Sequence, residues 1–476
     1  LGDVYKRQLL FRLNNSRGER RMKNQMNKKT LQSGILILVS MLFYLYFAWH
    51  DGVVICEDSP TYINMNITRE PLYPLLLEIM RRIFGENCLF ATVVFQSILA
   101  ALAAVSIPLF FKREQNISYI CEWFLMIIPM GCSLLCRFAA KRASMYSNSI
   151  LTEGIACSMF LLFTRFLLDY IICRRKRSLF YAGIFSFLLV STRKQMYFTV
   201  VLLFFAVIYV NWSRTQIKKG ILIAFLGVAA VLISNKIFDN IYGYAVRGTA
   251  HTHSGDDRFL ATVVFYTSER EDGERITDPE ARELFYEIYD ICEDQGYLKH
   301  SAGKTWKQRV THFGDSYDRI QIDTMWPAVE NYVGEHYDSE DVAREKKVDE
   351  ITQTISRDLL PAVWKKLLLT FVDNVCSGFV TTVAKVHPVL LWYTVMIYFV
   401  YFAMLIYLGI CNRTAPAFLF ATMTLIAICL NVGLVSMVIF CQTRYTIYNM
   451  PLFYMSLLLM IREVYHMKKT CVTFRF

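Results

Sequence analysis

The chain has 476 residues, of which 55% are hydrophobic and only 19% charged, with 35 Phe, 28 Tyr and a formal net charge of +11. Mean hydropathy is +0.33. A soluble chain carries roughly 25% charged and about 45–50% apolar residues, so these figures exclude soluble multidomain, disordered, collagen-like and disulfide-scaffold chains and leave a polytopic membrane protein. The 13 Cys are scattered, mostly inside apolar runs (Cys121, Cys132, Cys157, Cys429), where a thiol acts as a small hydrophobe. They form no CxxC pair and no Cys/His cluster with zinc spacing.

In chain order, a basic segment, 1–32, comes first and is expected to be cytoplasmic. Its opening residues LGDVYKRQ resemble translated adapter read-through, so Met22 or Met26 is the expected start. A membrane crossing needs about 17–25 apolar residues. Ten runs are expected to cross: 33–49, 88–111, 117–136, 150–172, 178–191, 196–211, 220–236, 389–410, 415–440 and 446–461. Helices 1–7 thus occupy 33–236 and helices 8–10 occupy 389–461. The fifth and sixth runs are short and separated only by Thr192, Arg193, Lys194 and Gln195, which also fits one broken hairpin. Lys/Arg clusters at 1–32, 112–113, 174–177, 214–219, 413 and the tail 462–476 then share one side, the cytoplasm by the positive-inside rule. Both termini are expected inside a cell membrane crossed many times.

The remaining loops fall outside. The first, 50–87, carries a Pro-initiated helix expected to lie parallel to the membrane. The long segment 237–388 changes character, with 26 acidic and 14 basic residues between 239 and 358 and no membrane-length apolar run. Helical spacing at 281–295 and 342–359 predicts a small, mainly helical extracytoplasmic domain. The amphipathic stretch 359–385 is expected to lie along the surface. The fold class is therefore an all-α polytopic membrane protein.

Polar residues at the outer ends of the runs carry the candidate chemistry. The first loop reads His50-Asp51, Cys56-Glu57-Asp58-Ser59-Pro60-Thr61-Tyr62, then Arg69-Glu70-Pro71-Leu72-Tyr73-Pro74. It can be a solvated loop; it also offers an acid, an aromatic and an arginine at one boundary. Glu153 opens the fourth run and pairs with Lys141 or Arg142, or else orients a metal or an acceptor. Arg193 and Lys194 stand outside, where topology disfavours positive charge. They anchor to headgroups or bind a phosphate, which guanidinium matches bidentately. Arg444-Tyr445 opens the last run. His251 and His253 with Asp256 and Asp257 have metal-ligand chemistry but sit on a Gly-rich turn. Arg165 and Asp169 pair along one helix face, and Glu122 is expected at the cytoplasmic interface. No P-loop and no GxGxxG follows a strand.

An outer-loop acid, an aromatic a turn later and Arg-x-Pro-Leu-Tyr-Pro opening a helix together resemble the first extracytoplasmic loop of the GT-C glycosyltransferases. That superfamily includes the protein O-mannosyltransferases and the aminoarabinose transferase of lipid A. The resemblance extends over the first six runs and the last. It implies transfer of a sugar, with inversion, from a polyprenyl-phosphate or -diphosphate carrier to a hydroxyl of an extracytoplasmic glycan, lipid or protein. It gives Asp58, then Asp51, then Glu57 as the base, with Glu153 as a supporting acid. Arg193, Lys194, Arg444, Tyr445, Arg69 and Tyr62 would meet the carrier phosphate. Desolvation at the boundary is expected to raise the pKa of the base and strengthen it. A divalent metal is compatible with this chemistry but has no strong ligand cluster. Competing readings are an envelope polysaccharide polymerase or ligase, and a lipid-linked sugar transporter or flippase. The enzyme reading requires Asp58 or Asp51, Glu153, Arg193 and Arg444 to meet within about 10–12 Å. The +11 divides into basic cytoplasmic loops and an acidic outer domain, so nucleic acid is not an expected partner.

Overall fold

The computed structural model describes residues 30–139, 144–213, 215–250, 252–255, 257–337 and 341–473. Most of the basic N-terminal segment therefore lies outside the described residues, as do Lys141, Arg142, His251 and Asp256. Among those described there is no strand, only an isolated parallel bridge between Val54 and Ser149.

Among the described residues, eight helical stretches are long and apolar enough to cross a membrane. The first, α1, runs over Thr30–Asp51. A five-residue helix, α2 (Ser59–Ile63), follows with Pro60 in its first turn. Helix α3 (Leu72–Phe84) buries Tyr73, Leu77 and Met80 and stops at Gly85, whose φ of +56° suits a residue without Cβ. After one turn, α4 (Cys88–Gln115) continues, so that α3 and α4 together form a 44-residue apolar stretch. Then come α5 (Tyr119–Ala139) and α6 (Glu153–Cys173). Glu122 is 1% exposed.

Helices α7 (Lys176–Val190) and α8 (Phe198–Val210) have 15 and 13 residues. At 1.5 Å per residue each is only about 20–22 Å long, short of the ~30 Å of hydrocarbon. They make one broken hairpin. Its tip is capped by protein, because Leu72 N donates to Ser191 O at 3.1 Å and Lys194 N donates to Glu70 Oε1 at 3.0 Å. Helix α9 (Ile217–Arg247) outruns the expected 220–236 and ends at Gly248. Its extra turns carry Asp239 and Tyr242, both buried, and Asn235 just before them is buried too.

The polar segment folds as four helices: α10 (Asp257–Thr267), α11 (Pro279–Asp294), α12 (Trp306–Asp318) and α13 (Trp326–His336). They pack on α14, which runs unbroken over Asp341–Val383. The two stretches expected as separate helices are thus one rod of about 64 Å. Arg309 fixes α12 to it through both Asp373 oxygens, at 2.6 and 2.8 Å. Arg258, 1% exposed, lies over the Trp326 ring and pairs with Glu330, Glu345 and Asp349.

Helices α15 (Pro388–Cys411) and α16 (Pro416–Val438) return to apolar sequence. A short α17 (Thr443–Thr446) precedes α18 (Met450–Thr473). Helix α18 continues well past the expected end at 461 because no breaker intervenes. It is not among the eight crossing candidates, which do include Val342–Val383 from α14.

Candidate functional site

The site is built from four pieces of chain that secondary structure alone would keep apart. The first loop is tied to the segment before α6: Val54 N donates to Asn148 O and Ile150 N to Val54 O, both at 3.0 Å. Ser59 Oγ then donates to Ile150 O at 2.9 Å, so α2 begins beside Glu153. Within the loop, Arg69 Nε donates to Thr61 Oγ1 at 2.8 Å. Its guanidinium lies 4.6 Å from the centre of the Tyr62 ring.

Glu153 opens α6, where the helix dipole favours a negative charge. Its side chain has no solvent exposure. Gln96, itself fully buried, steadies the preceding turn by donating to Ser147 O and Ser149 O at 3.0 and 3.1 Å. The hairpin tip supplies Arg193. Helix α17 supplies Arg444, and Asn374 of α14 holds the strap, 439–442, that leads to it. Cys441 N donates to Asn374 Oδ1 at 2.7 Å, and Asn374 Nδ2 donates to Ile439 O at 2.8 Å.

These pieces bring together five charged groups. Asp58 Oδ1 accepts from Arg69 Nη2 at 2.9 Å, and Asp58 Oδ2 faces Arg444 Nη2 at 2.7 Å. Glu153 Oε1 is shared by Arg193 Nη1, at 2.6 Å, and Arg444 Nε. Thr152 Oγ1 donates to Glu153 Oε2 at 3.2 Å and accepts from Arg193 at 3.3 Å. The Tyr445 ring lies 5.5 Å from the Arg193 guanidinium carbon. Side-chain exposure falls from 29% at Asp58 through 17% at Arg444 to 0% at Glu153. Asp58 therefore stands at the mouth of the cluster and Glu153 at its floor.

The expected pKa of Asp58 needs correction. Burial does raise it, but Arg444 and Arg69 outweigh burial and hold the carboxyl below the usual aspartate value. The Arg444 guanidinium is held charged against its burial by Glu153, Tyr445 and Asp58.

Two expected site residues lie elsewhere. Asp51 is engaged by Arg137 Nη2 at 2.9 Å and by His50 at 2.8 Å. The backbone of Lys194 is held by Glu70, and its charge is felt most by Glu70, Asp239, Asp257 and Asp349. Glu153 takes Arg193 and Arg444 as partners; the expected pairing with Lys141 or Arg142 lies outside the described residues. His253 Nδ1 lies 2.6 Å from Asp239 Oδ2.

Among the described residues, Glu114, Asp169 and Cys173 could hold a metal by spacing. Their oxygens are already engaged by arginine: Arg175 lies 2.8 Å from Glu114 and 2.7 Å from Asp169, and Arg165 and Arg113 adjoin. A cation would have to displace several positive charges there, so the trio is better fitted to locking α4, α6 and α7 together.

Three contributing residues escape a linear reading. Tyr448 lines a cavity of about 50 Å³ behind Glu153, with Ser133, Ser147 and Cys157. Its buried hydroxyl has no hydrogen-bond partner among the described residues. Its one signal is the helical spacing of four from Arg444. Gln96 was visible as a lone amide in an apolar run, a costly placement without partners. Asn374 gave no signal, since its role depends on a strap about 65 residues away in sequence. No family model, curated protein or solved structure matches the chain.

Proposed function

We propose that this chain is a membrane glycosyltransferase of the GT-C kind. It takes a sugar from a polyprenyl-phosphate or -diphosphate carrier and passes it, with inversion, to a hydroxyl of an extracytoplasmic glycan, lipid or protein. The observation that carries this reading is the meeting of Asp58 and Glu153 with Arg69, Arg193 and Arg444 in one graded cluster. Such a group supplies what glycosyl transfer needs: a base at the mouth and cations for the departing phosphate.

In this reading the acceptor oxygen gives its proton to Asp58 and attacks the anomeric carbon from the face opposite the phosphate. The bond from that carbon to the phosphate oxygen breaks, and the electron pair stays on the phosphate. Arg193 and Arg444 balance the charge that appears there. Glu153 stays behind them and keeps the two guanidinium groups side by side. Both termini are cytoplasmic in this arrangement, and α10–α13 form the extracytoplasmic domain that shapes the acceptor's approach. The distribution of basic loops supports that orientation.

The test is transfer of labelled sugar from a polyprenyl-phosphate donor by the purified full chain. Asp58→Asn is expected to lower the rate at least about 100-fold while the protein still elutes as a folded species. Full activity in Asp58→Asn would remove Asp58 from the mechanism.

A further inference from the structure

A working base cannot keep the contacts that Asp58 makes in the resting site. Both of its oxygens are taken by guanidinium groups, one from Arg69 and one from Arg444. Arg444 is itself shared with Glu153. Among the groups in direct contact, three guanidinium groups meet two carboxylates. Glu57 and Asp318 nearby are exposed and screened by solvent, so the inner cluster favours an added anion. Phosphate competes well for such a partner, because guanidinium binds its oxygens bidentately and the charge on phosphate can exceed that of a carboxylate.

The backbone around Arg444 is held, by Asn374 on the strap and by Gln195 and Asn431 on Tyr445 O, so any exchange of partners is one of the Arg444 side chain. The Arg69 side chain, by contrast, is held by Thr61, Tyr62 and the Tyr62 ring, on the same loop as Asp58. The groups that face Asp58 are Glu57 beside it, Arg69 and Tyr62 from its own loop, Glu153 from α6, Arg193 from the hairpin, Arg444 and Tyr445 from α17, and Asp318 at the end of α12. Without Arg444 the balance around Asp58 turns acidic, since Glu57, Glu153 and Asp318 remain against Arg69 and the more distant Arg193.

We propose that Arg444 is a positioning residue that exchanges partners: an arriving phosphate draws it off Asp58, and only then is the Asp58 carboxylate released to accept a proton. The proposal rests on reading the cluster as a phosphate site, and the sugar plays no part in it. It makes the anionic headgroup of the donor a requirement for exposing the base, beyond its role in binding. A neutral ligand would leave Asp58 masked.

The test uses the full chain without any sugar. Calorimetry is run at about pH 5 and about pH 8, on either side of neutrality and above the ordinary carboxylate range, in paired buffers of different ionisation enthalpy. Three ligands are compared: sulfate, whose charge is constant over this range, inorganic phosphate, and nanodiscs containing polyprenyl phosphate. With sulfate, binding at the lower pH is expected to take up a fraction of a proton, with none at the higher pH and none in Asp58→Asn. Phosphate and the lipid have a second ionisation of their own between these pH values, at about 6 for a phosphate ester, so for them the uptake is read as the difference between wild type and Asp58→Asn. Infrared difference spectra of the wild-type chain provide a readout that needs no variant, a protonated-carboxyl band appearing as sulfate or the lipid is added. Uptake with all three ligands supports the exchange for any such anion. Uptake with the lipid alone supports it and assigns the anion to a lipid headgroup. Binding with neither proton uptake nor a carboxyl band overturns the exchange while leaving the phosphate site intact. Failure of all three to bind removes the phosphate site and the exchange together.

Discussion

At the scale of single residues, the cluster shows how partners decide what a buried charge does. Asp58 would be a strengthened base by burial alone, yet two guanidinium groups reverse the sign of its shift. A carboxyl whose folded pKa is depressed contributes stability that is present above its unfolded value and lost as pH falls through its folded one. The gap in melting temperature between wild type and Asp58→Asn is therefore expected to be full at neutral pH and to close as the pH drops below about 4. A gap that stays constant across that range would contradict the pairing. Glu153→Gln is expected to act more severely, because it leaves Arg193 and Arg444 facing one another without a counter-charge at the floor of the site. Removing one partner of a buried pair costs about 3–5 kcal/mol, which thermal unfolding in detergent would register. Glu153, Arg193 and Arg444 are legible in the sequence as charges at the ends of apolar runs, which are expensive unless something balances them, whereas Asp58 and Arg69 stand out only through the loop pattern that carries the resemblance. Which acid meets which arginine is not legible there. Asp51 has the same chemistry as Asp58, and only the folded chain shows that Arg137 claims it.

At the scale of elements, apolar length predicted helices well and boundaries less well. Helices α1, α4, α5, α6, α15 and α16 fall close to their expected runs. Helix α9 outruns its apolar stretch because Asp239 beyond it, like Asn235 at its end, has a buried partner that a hydropathy window does not see. Asn235 Nδ2 donates to Ser191 Oγ at 3.0 Å, and Asp239 meets His253. The start of α6 depends on an equally hidden fit. A Cβ on Gly154 would overlap the side-chain amide of Gln96, whereas one on Gly131 of α5 would meet nothing within 4 Å. Gly154→Ala is expected to displace Gln96 from Ser147, Ser149 and the Tyr73 hydroxyl, a loss of about 1–3 kcal/mol. Gly131→Ala should be neutral or slightly stabilising, since alanine is the better helix former. Parallel melting curves of the two variants make the comparison, and equal losses would refute the tight fit at Gly154.

At the scale of the whole molecule, α14 joins a charged assembly to an apolar one. Its first half helps surround Arg258, and Asn374 in its second half holds the strap that leads to Arg444. Arg258→Met removes the cation shared by Glu330, Glu345 and Asp349. It is expected to destabilise α10, α13 and the start of α14 by about 3–5 kcal/mol, read as faster hydrogen exchange there. Unchanged exchange in α10 would show that the three acids do not depend on Arg258. The separation into an acidic part and an apolar part was legible from charge density along the chain. Their connection through one continuous rod was not, because the charged stretch 342–359 and the amphipathic stretch 359–385 differ in composition. The short hairpin has a consequence of its own. In the proposed orientation the hairpin acts as a depth gauge, because the level of Arg193 across the hydrocarbon layer follows from the number of turns in α7, in α8 and in the 3-10 turn Lys194–Tyr197 between Arg193 and α8. One extra turn in each would lift that arginine by about 5.4 Å and take it away from Glu153, so the length of two unremarkable apolar helices sets where charge can gather in this protein.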